Sequence, residues 1–274
     1  MKRKFKKLIS NYKREGFWET IKKSIFYICR KYIKGDAEKF IISGNYKIIN
    51  PDEFDFGNFT NTWKDKNLPI TQYDLVVKKE LKRLRENKII EPPFSVAVDL
   101  IKKIKLKNPS ILEIGCSSGY YNEVFKLSGL EVQYEGCDYS EEFIKLAKNL
   151  YPKINFKVSD ALNLDYADKS FDVVFSSSVI LHIKDYKQAI KEAIRVSKNY
   201  IIFHRSPIIH LNNTIYTIKK GYGIDMMEVF LNEEEFIDIL NNNGVKILSI
   251  NTHGQFSVDG LNEPVFMKSY LCIK

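Results

Sequence analysis

Between residues 111 and 119 the chain reads Ile-Leu-Glu-Ile-Gly-Cys-Ser-Ser-Gly, an apolar run that breaks into a glycine-bearing turn. Glycine lets a backbone approach a ligand closely and adopt positive φ. A helix starting near Gly119 adds unpaired N–H donors. Any nucleotide-like ligand can use such a turn. Asp138 follows 19 residues after Gly119, at the end of the next apolar run. A carboxylate there can accept hydrogen bonds from ribose hydroxyls. Ser159-Asp160-Ala161 ends a third run, and a side-chain acceptor beside a backbone donor suits an adenine edge. Two histidines follow the later runs, His182 in Leu181-His-Ile-Lys-Asp185 and His204 in His204-Arg205. Histidine titrates near neutrality, so each is a candidate general base; the plainer role for each is a hydrogen-bonded structural histidine. Arg205 can hold a carboxylate or phosphate through its planar fork, or form a surface ion pair.

The elements that position these groups alternate. Ser110–Ile114, Glu131–Cys137, Ile154–Val158, Phe171–Phe175 and Tyr200–His204 read as short strands. Helices are expected between them, one opening at Ser140 as its cap, another over about 184–197. Strands separated by helices imply parallel pairing with right-handed crossovers. Residues 206–230 interrupt the rhythm and are the expected lid or acceptor wall. Tyr216, Tyr222 and Glu228 are its candidate acceptor contacts, and Gly221 and Gly223 its hinges. Asn232-x-x-Glu235 resembles a capping box, Gly244 stands where that helix would end, and two strands near 245–251 and 265–273 complete the chain. Upstream, residues 41–107 form a turn-rich connection over 41–72, a charged helix over 73–88, and a helix after Pro92-Pro93.

Composition narrows the classes. The 274 residues are 44% hydrophobic, enough for a substantial core. Four dispersed cysteines, without a CxxC pair, argue against a disulfide framework or a metal site and suit a reducing cytoplasm. The net charge of +9 lies in residues 1–40, with 13 Lys/Arg against 4 Asp/Glu, leaving 30 of each elsewhere. In that segment Trp18, Ile21, Ile25, Ile28 and Tyr32 share one helical face. The pattern is that of a basic amphipathic extension, able to lie on the inner membrane face or to pack on its own domain or a partner. Its apolar runs are too short to span a bilayer.

The ordered set Glu113 to Gly119, Asp138, Asp160-Ala161 and Phe171-Asp-Val-Val-Phe175 resembles the motifs of the class I S-adenosylmethionine-dependent methyltransferase superfamily. The resemblance is close over roughly 95–205. It implies an α/β, Rossmann-like sheet of seven strands, the last antiparallel, with helices on both faces and an N-terminal helical extension. The implied domain covers 108–274, with an insertion at 206–230. It also implies cofactor contacts from Glu113 at the methionine end, Gly115, Cys116 and Gly119 along the turn, Asp138 and Tyr139 at the ribose, Asp160 and Ala161 at the adenine, and Ser176. Ser117 stands where many relatives have glycine, and Ser197-Lys-Asn199 replaces a Pro-Gly-Gly turn. A nicotinamide-dependent dehydrogenase is the main rival, but Cys116-Ser117 breaks the G-x-G-x-x-G spacing it needs.

On this reading the acceptor is a small polar molecule. Nucleobase amines are disfavoured because Ser176-Ser-Ser-Val179 replaces the Asn/Asp-Pro-Pro-aromatic motif. Pyrimidine carbon is disfavoured because Cys116 and Cys137 are poorly placed. The order of Phe59 to Trp63, His204-Arg-Ser-Pro207 and Asn232-Glu-Glu-Glu-Phe236 looks like methyltransferases associated with bacterial surface-polysaccharide synthesis. O-methylation of a sugar or glycolipid is therefore expected. RNA methylation through the basic arm, and a non-catalytic cofactor-binding scaffold, are the alternatives.

Overall fold

Strands that are apolar on both faces must be covered on both sides, and the central strands of this chain are of that kind. The computed structural model describes residues 46–274 apart from 58 and 60; the expected helix over 1–40 lies outside the described residues. The elements run β1 (Lys47–Ile49), α1 (Leu68–Gln72), a π-helical turn (Tyr73–Val77), α2 (Lys78–Asn87), α3 (Pro92–Lys102), β2 (Ser110–Ile114), α4 (Tyr120–Leu127), β3 (Gln133–Asp138), α5 (Glu141–Leu150), β4 (Asn155–Val158) and β5 (Phe171–Ser177). Then come α6 (Tyr186–Val196), β6 (Ser197–Ile209), β7 (Ile215–Gly221), β8 (Ile224–Asn232), α7 (Glu233–Asn242), β9 (Lys246–Phe256) and β10 (Val265–Ile273).

Leu112, Ile114, Val174, Ile201, Phe203 and Tyr270 pack into one core with α6 and α7. Their strand neighbours Ile111, Val173, Phe175, Ile202 and Leu271 pack into a second core with α2, α3, α4 and part of α5. The two-residue period of a strand places alternate side chains on opposite faces, so this division follows from the sequence. Among the described residues, seven strands run in the order β4-β3-β2-β5-β6-β10-β9. β2 to β6 pair in parallel, and β10 is antiparallel to both β6 and β9. This is the Rossmann-like arrangement with helices on both faces that the alternation predicts. The start of the sheet is pinned where Asp172 accepts from the Ser110 backbone N–H at 3.0 Å and hydroxyl at 2.9 Å.

Three details differ from expectation. β6 does not stop at His204 but continues to Ile209, and beyond the end of β5 its free edge pairs with β8 through Ile208 and Ile209. The segment expected to interrupt the rhythm is therefore a regular hairpin, β7 with β8. The turn-rich connection also contributes a strand, since β1 pairs with β7, Lys47 opposite Ile218. A three-residue strand carries too little alternation to be seen in advance. Finally, Ser140 occupies the cap position of α5, but its hydroxyl makes no capping bond. Asn232 does cap α7, accepting from the Glu235 N–H at 2.9 Å. No helix among the described residues is long and apolar enough to cross a membrane.

Gly119 opens α4 at φ 74, and a Cβ there would lie 2.4 Å from the Phe156 ring. Backbone strain and overpacking both oppose a side chain. Gly119→Ala should lower stability by about 2–4 kcal/mol, read as a reduced midpoint in urea denaturation; an unchanged midpoint would show that Phe156 yields freely.

Candidate active site

Parallel sheets bind ligands beyond the carboxyl ends of their strands. Here those ends open into a pocket of about 1150 Å³. Its floor is the β2 turn (Ile114, Gly115, Ser117), the end of β3 (Asp138, Tyr139), the β4 loop (Ser159 to Leu162) and the β5 loop (Ser177 to Lys184). Its roof comes from residues 56–72 and from the β7–β8 hairpin.

Asp138 organises the floor. One carboxylate oxygen accepts the Ser117 N–H at 3.0 Å and the other the Ser140 N–H at 2.9 Å. Burial pushes its pKa up to about 6, against the opposing pull of the Ser140, Ser117 and Tyr139 N–H groups. Ser140 thus serves Asp138 through its backbone rather than α5 through its hydroxyl. Ser117 is left-handed at φ 52, the conformation for which a glycine would be the easy choice. Its hydroxyl donates to Gln72 of α1, tying the floor to the roof. Gly115, at φ 66, leaves no room for a side chain because a Cβ would meet Val179 at 2.4 Å. Asp160 is exposed, and its Oδ1 accepts the Leu162 N–H at 2.9 Å, which shapes the turn beside Ala161.

Of the sequence-expected cofactor contacts, Gly115, Asp138, Tyr139, Asp160 and Ala161 line the pocket. Four do not. Glu113 is buried beneath the turn, where it accepts from the Tyr134 hydroxyl, and burial holds its carboxyl far above the usual range. Cys116 turns its side chain into the core behind β2, and its N–H bonds the Cys137 carbonyl at 2.9 Å. Gly119 packs under Phe156. Ser176 is buried, and Ser177 and Ser178 line the pocket in its place.

The two histidines separate in the same way. His204 is fully buried against Phe175, Tyr121 and His253 and does not line the pocket, so the structure removes it as a base. His182 does line the pocket, in a 3₁₀ turn (Ile180–His182) after β5. Its Nδ1 lies 2.8 Å from the Met227 carbonyl, and Trp63 packs against its ring at a tilt of 55°, centroids 4.7 Å apart. Arg205, Tyr216, Tyr222 and Glu228 all reach the pocket. Glu228 is bound by the Tyr46 hydroxyl at 2.6 Å and by Lys219 at 2.5 Å.

The site residues that sequence reasoning passed over are mainly in the roof. Trp63 also contacts Phe143 and Tyr222, bridging both ends of the pocket, and Lys64 sits 5.0 Å from the Tyr139 ring centroid. The density of aromatics over 54–63, otherwise a turn-rich stretch, was the available signal.

Comparison with known proteins agrees with this geometry. Residues 112–202 match the family model described as a methyltransferase domain. The demethylmenaquinone methyltransferase of Paenarthrobacter aurescens is 31% identical over 111 residues, 39% of this chain and 43% of that protein. The chain thus matches less than half the length of that relative. The ubiquinone biosynthesis O-methyltransferase of Pelagibacter ubique is 27% identical over 243 residues, 81% of this chain and 92% of that protein. A solved S-adenosylmethionine-dependent methyltransferase from Methanosarcina mazei shares the fold with a TM-score of 0.52 at 19% identity, covering 64% of this chain and 96% of that one. Residues 112–202 thus carry a methyltransferase domain, on a fold shared with solved S-adenosylmethionine-dependent methyltransferases. The pocket fits that cofactor: Asp138 offers acceptors to a ribose diol, and the Asp160–Leu162 turn offers mixed donors and acceptors to a base.

Asp138→Ala should weaken S-adenosylmethionine binding by about 1–3 kcal/mol, the loss expected for hydrogen bonds to a charged acceptor. In the wild type, protonation removes that acceptor, so affinity should fall as pH drops below about 6. Calorimetry between pH 5 and 8 checks both; pH-independent affinity would detach Asp138 from the cofactor.

Proposed function

We propose that this chain transfers a methyl group to a hydroxyl of a small, ring-bearing acceptor, a sugar or glycolipid, with His182 taking the proton. The carrying observation is the arrangement of His182. A carbonyl oxygen only accepts, so Nδ1 donates to Met227 and the neutral ring keeps its lone pair on Nε2. Burial holds the histidine below its ordinary range, opposed by the Glu228 charge and the Met227 bond. It is therefore a free base at neutral pH.

S-adenosylmethionine, when bound, supplies a methyl group on a positively charged sulfur. The protein's part in an in-line displacement is alignment, water exclusion and proton removal. Asp138 and the Gly115–Ser117 turn hold one end of the pocket, Trp63 and Tyr222 cover it, and His182 accepts the hydroxyl proton at Nε2. The faces of Trp63, Tyr216 and Tyr222, next to the Glu228–Lys219 pair, suit a ring with apolar faces and polar edges. This reading includes a cytoplasmic location, with the basic segment 1–40 available to meet glycolipid at the inner membrane face.

A phenolic acceptor is the second reading, favoured by the similarity to the ubiquinone biosynthesis O-methyltransferase of Pelagibacter ubique. Incubation with methyl-labelled S-adenosylmethionine and fractionated cell extract separates the two. Label in glycan or glycolipid is expected; label confined to quinone precursors selects the phenol, and label in RNA overturns both. With the labelled acceptor in hand, His182→Gln should lower kcat about 10²–10⁴-fold with cofactor affinity unchanged. In the wild type kcat should hold at neutrality and fall only on acidification below the ordinary histidine range. A His182→Gln enzyme within threefold of wild type removes the base.

A further inference from the structure

Where β6 meets β10 the ladder carries one residue too many. Lys268 pairs with Ser206 and Tyr270 with Phe203, so the single residue Ser269 faces both His204 and Arg205. Arg205 takes up the excess in the left-handed region at φ 58. That conformation is uncommon and strained for a residue other than glycine, and such strain gathers at functional sites. Bulges of this kind re-aim a side chain and occur beside active sites. Here the side chain re-aimed into the pocket is a guanidinium.

The bulge is braced. Ser269 Oγ, fully buried, accepts the Arg205 backbone N–H at 3.1 Å and lies 2.8 Å from His204 Nδ1 and 2.9 Å from His253 Nε2. A hydroxyl has one proton and two lone pairs. Arg205 uses one lone pair, so one imidazole donates into the other and the second imidazole accepts the proton. Burial and the Arg205 charge keep both rings neutral, His253 at about 4, so the accepting ring has the lone pair it needs.

Among the described residues the charge so positioned has no paired carboxylate. Lys219 is paired with Glu228 and Lys220 with Asp225, whereas Arg205 forms no ion pair among the described residues. Around it stand Tyr120, Tyr121 and Tyr222, all of which feel its positive charge. Arg205 also lies two strands from β2, on the side away from Asp138 and Asp160. We propose that Arg205 recognises a carboxylate or phosphate on the methyl acceptor, and that Ser269, with His204 and His253, is the positioning group that aims it. The assignment to an acceptor rests on the methyl-transfer reading of the pocket. The charge-assisted fork geometry of arginine matches such groups.

The test uses binding alone, so it does not depend on turnover. Protein saturated with S-adenosylhomocysteine is titrated with phenyl phosphate, benzoate and neutral benzyl alcohol, followed by ligand-observed NMR. The anions should bind at least tenfold more tightly than the alcohol. Arg205→Gln should abolish that preference, Arg205→Lys should keep part of it, and Ser269→Ala should reduce it. Equal binding of anion and alcohol to the wild type, or a preference unchanged in Arg205→Gln, overturns the proposal. S-adenosylhomocysteine and 5′-methylthioadenosine, which lacks the amino-acid carboxylate, serve as fold and source controls. Arg205→Gln should bind both as the wild type does. Selective tenfold loss of S-adenosylhomocysteine would assign Arg205 to the cofactor's own carboxylate instead.

Discussion

Asp138 is held by backbone N–H groups from two successive βα turns, and the floor of the pocket depends on that set of bonds. A buried carboxylate without donors would be costly. With them it stays close enough to ionisation to act as an acceptor near neutral pH, while Glu113, equally buried but bonded only through Tyr134, is driven far from it. The same bonds supply partners for the N–H of Ser117, a residue whose left-handed backbone has no place in a regular element. Through the Ser117 hydroxyl the arrangement extends to Gln72, so floor and roof share one polar chain.

The other end of the pocket is built on a different device, the overrun of β6 past β5. In a parallel sheet the strand ends mark the site, and a strand that continues beyond them becomes its wall. The extra length of β6 gives β8 an edge to pair with, and β8 brings β7 and β1. Tyr46, Phe230 and Phe256 then stack into a small cluster beside the pocket. The Tyr46–Glu228–Lys219 group, drawn from β8, β7 and the residue before β1, becomes part of one wall. The roof is thus held by backbone pairing and aromatic packing more than by charge.

Contacts between the leading helices and the sheet are likewise specific. Arg85 of α2 makes a two-pronged pair with Glu123 of α4, at 2.5 and 2.6 Å, and the Tyr151 hydroxyl donates to the same carboxylate. Partly exposed pairs of this kind add little stability singly; their value here is orientation, since α4 begins at the cofactor turn. Residues 46–107 are accordingly part of the same packed body as the sheet.

Local patterns in the sequence determined the seven strands of the main sheet, their order along the chain, the glycine turn and the acidic residues after β3 and β4. Two-residue alternation, glycine spacing and chain order are properties of short stretches, and they placed Gly115, Asp138, Tyr139, Asp160 and Ala161 at the pocket. Tertiary structure alone decided which side of a strand each remaining candidate took. His204 and Arg205 are neighbours in sequence, yet a bulge set by Ser269, more than 60 residues away, buries one and turns the other into the pocket. Glu113, Cys116, Gly119 and Ser176 lie off the pocket lining for a related reason: burial depends on pairing and packing partners that lie far along the chain. The roof was hidden because β1 is too short to show a period and becomes a strand only when β7 offers it an edge.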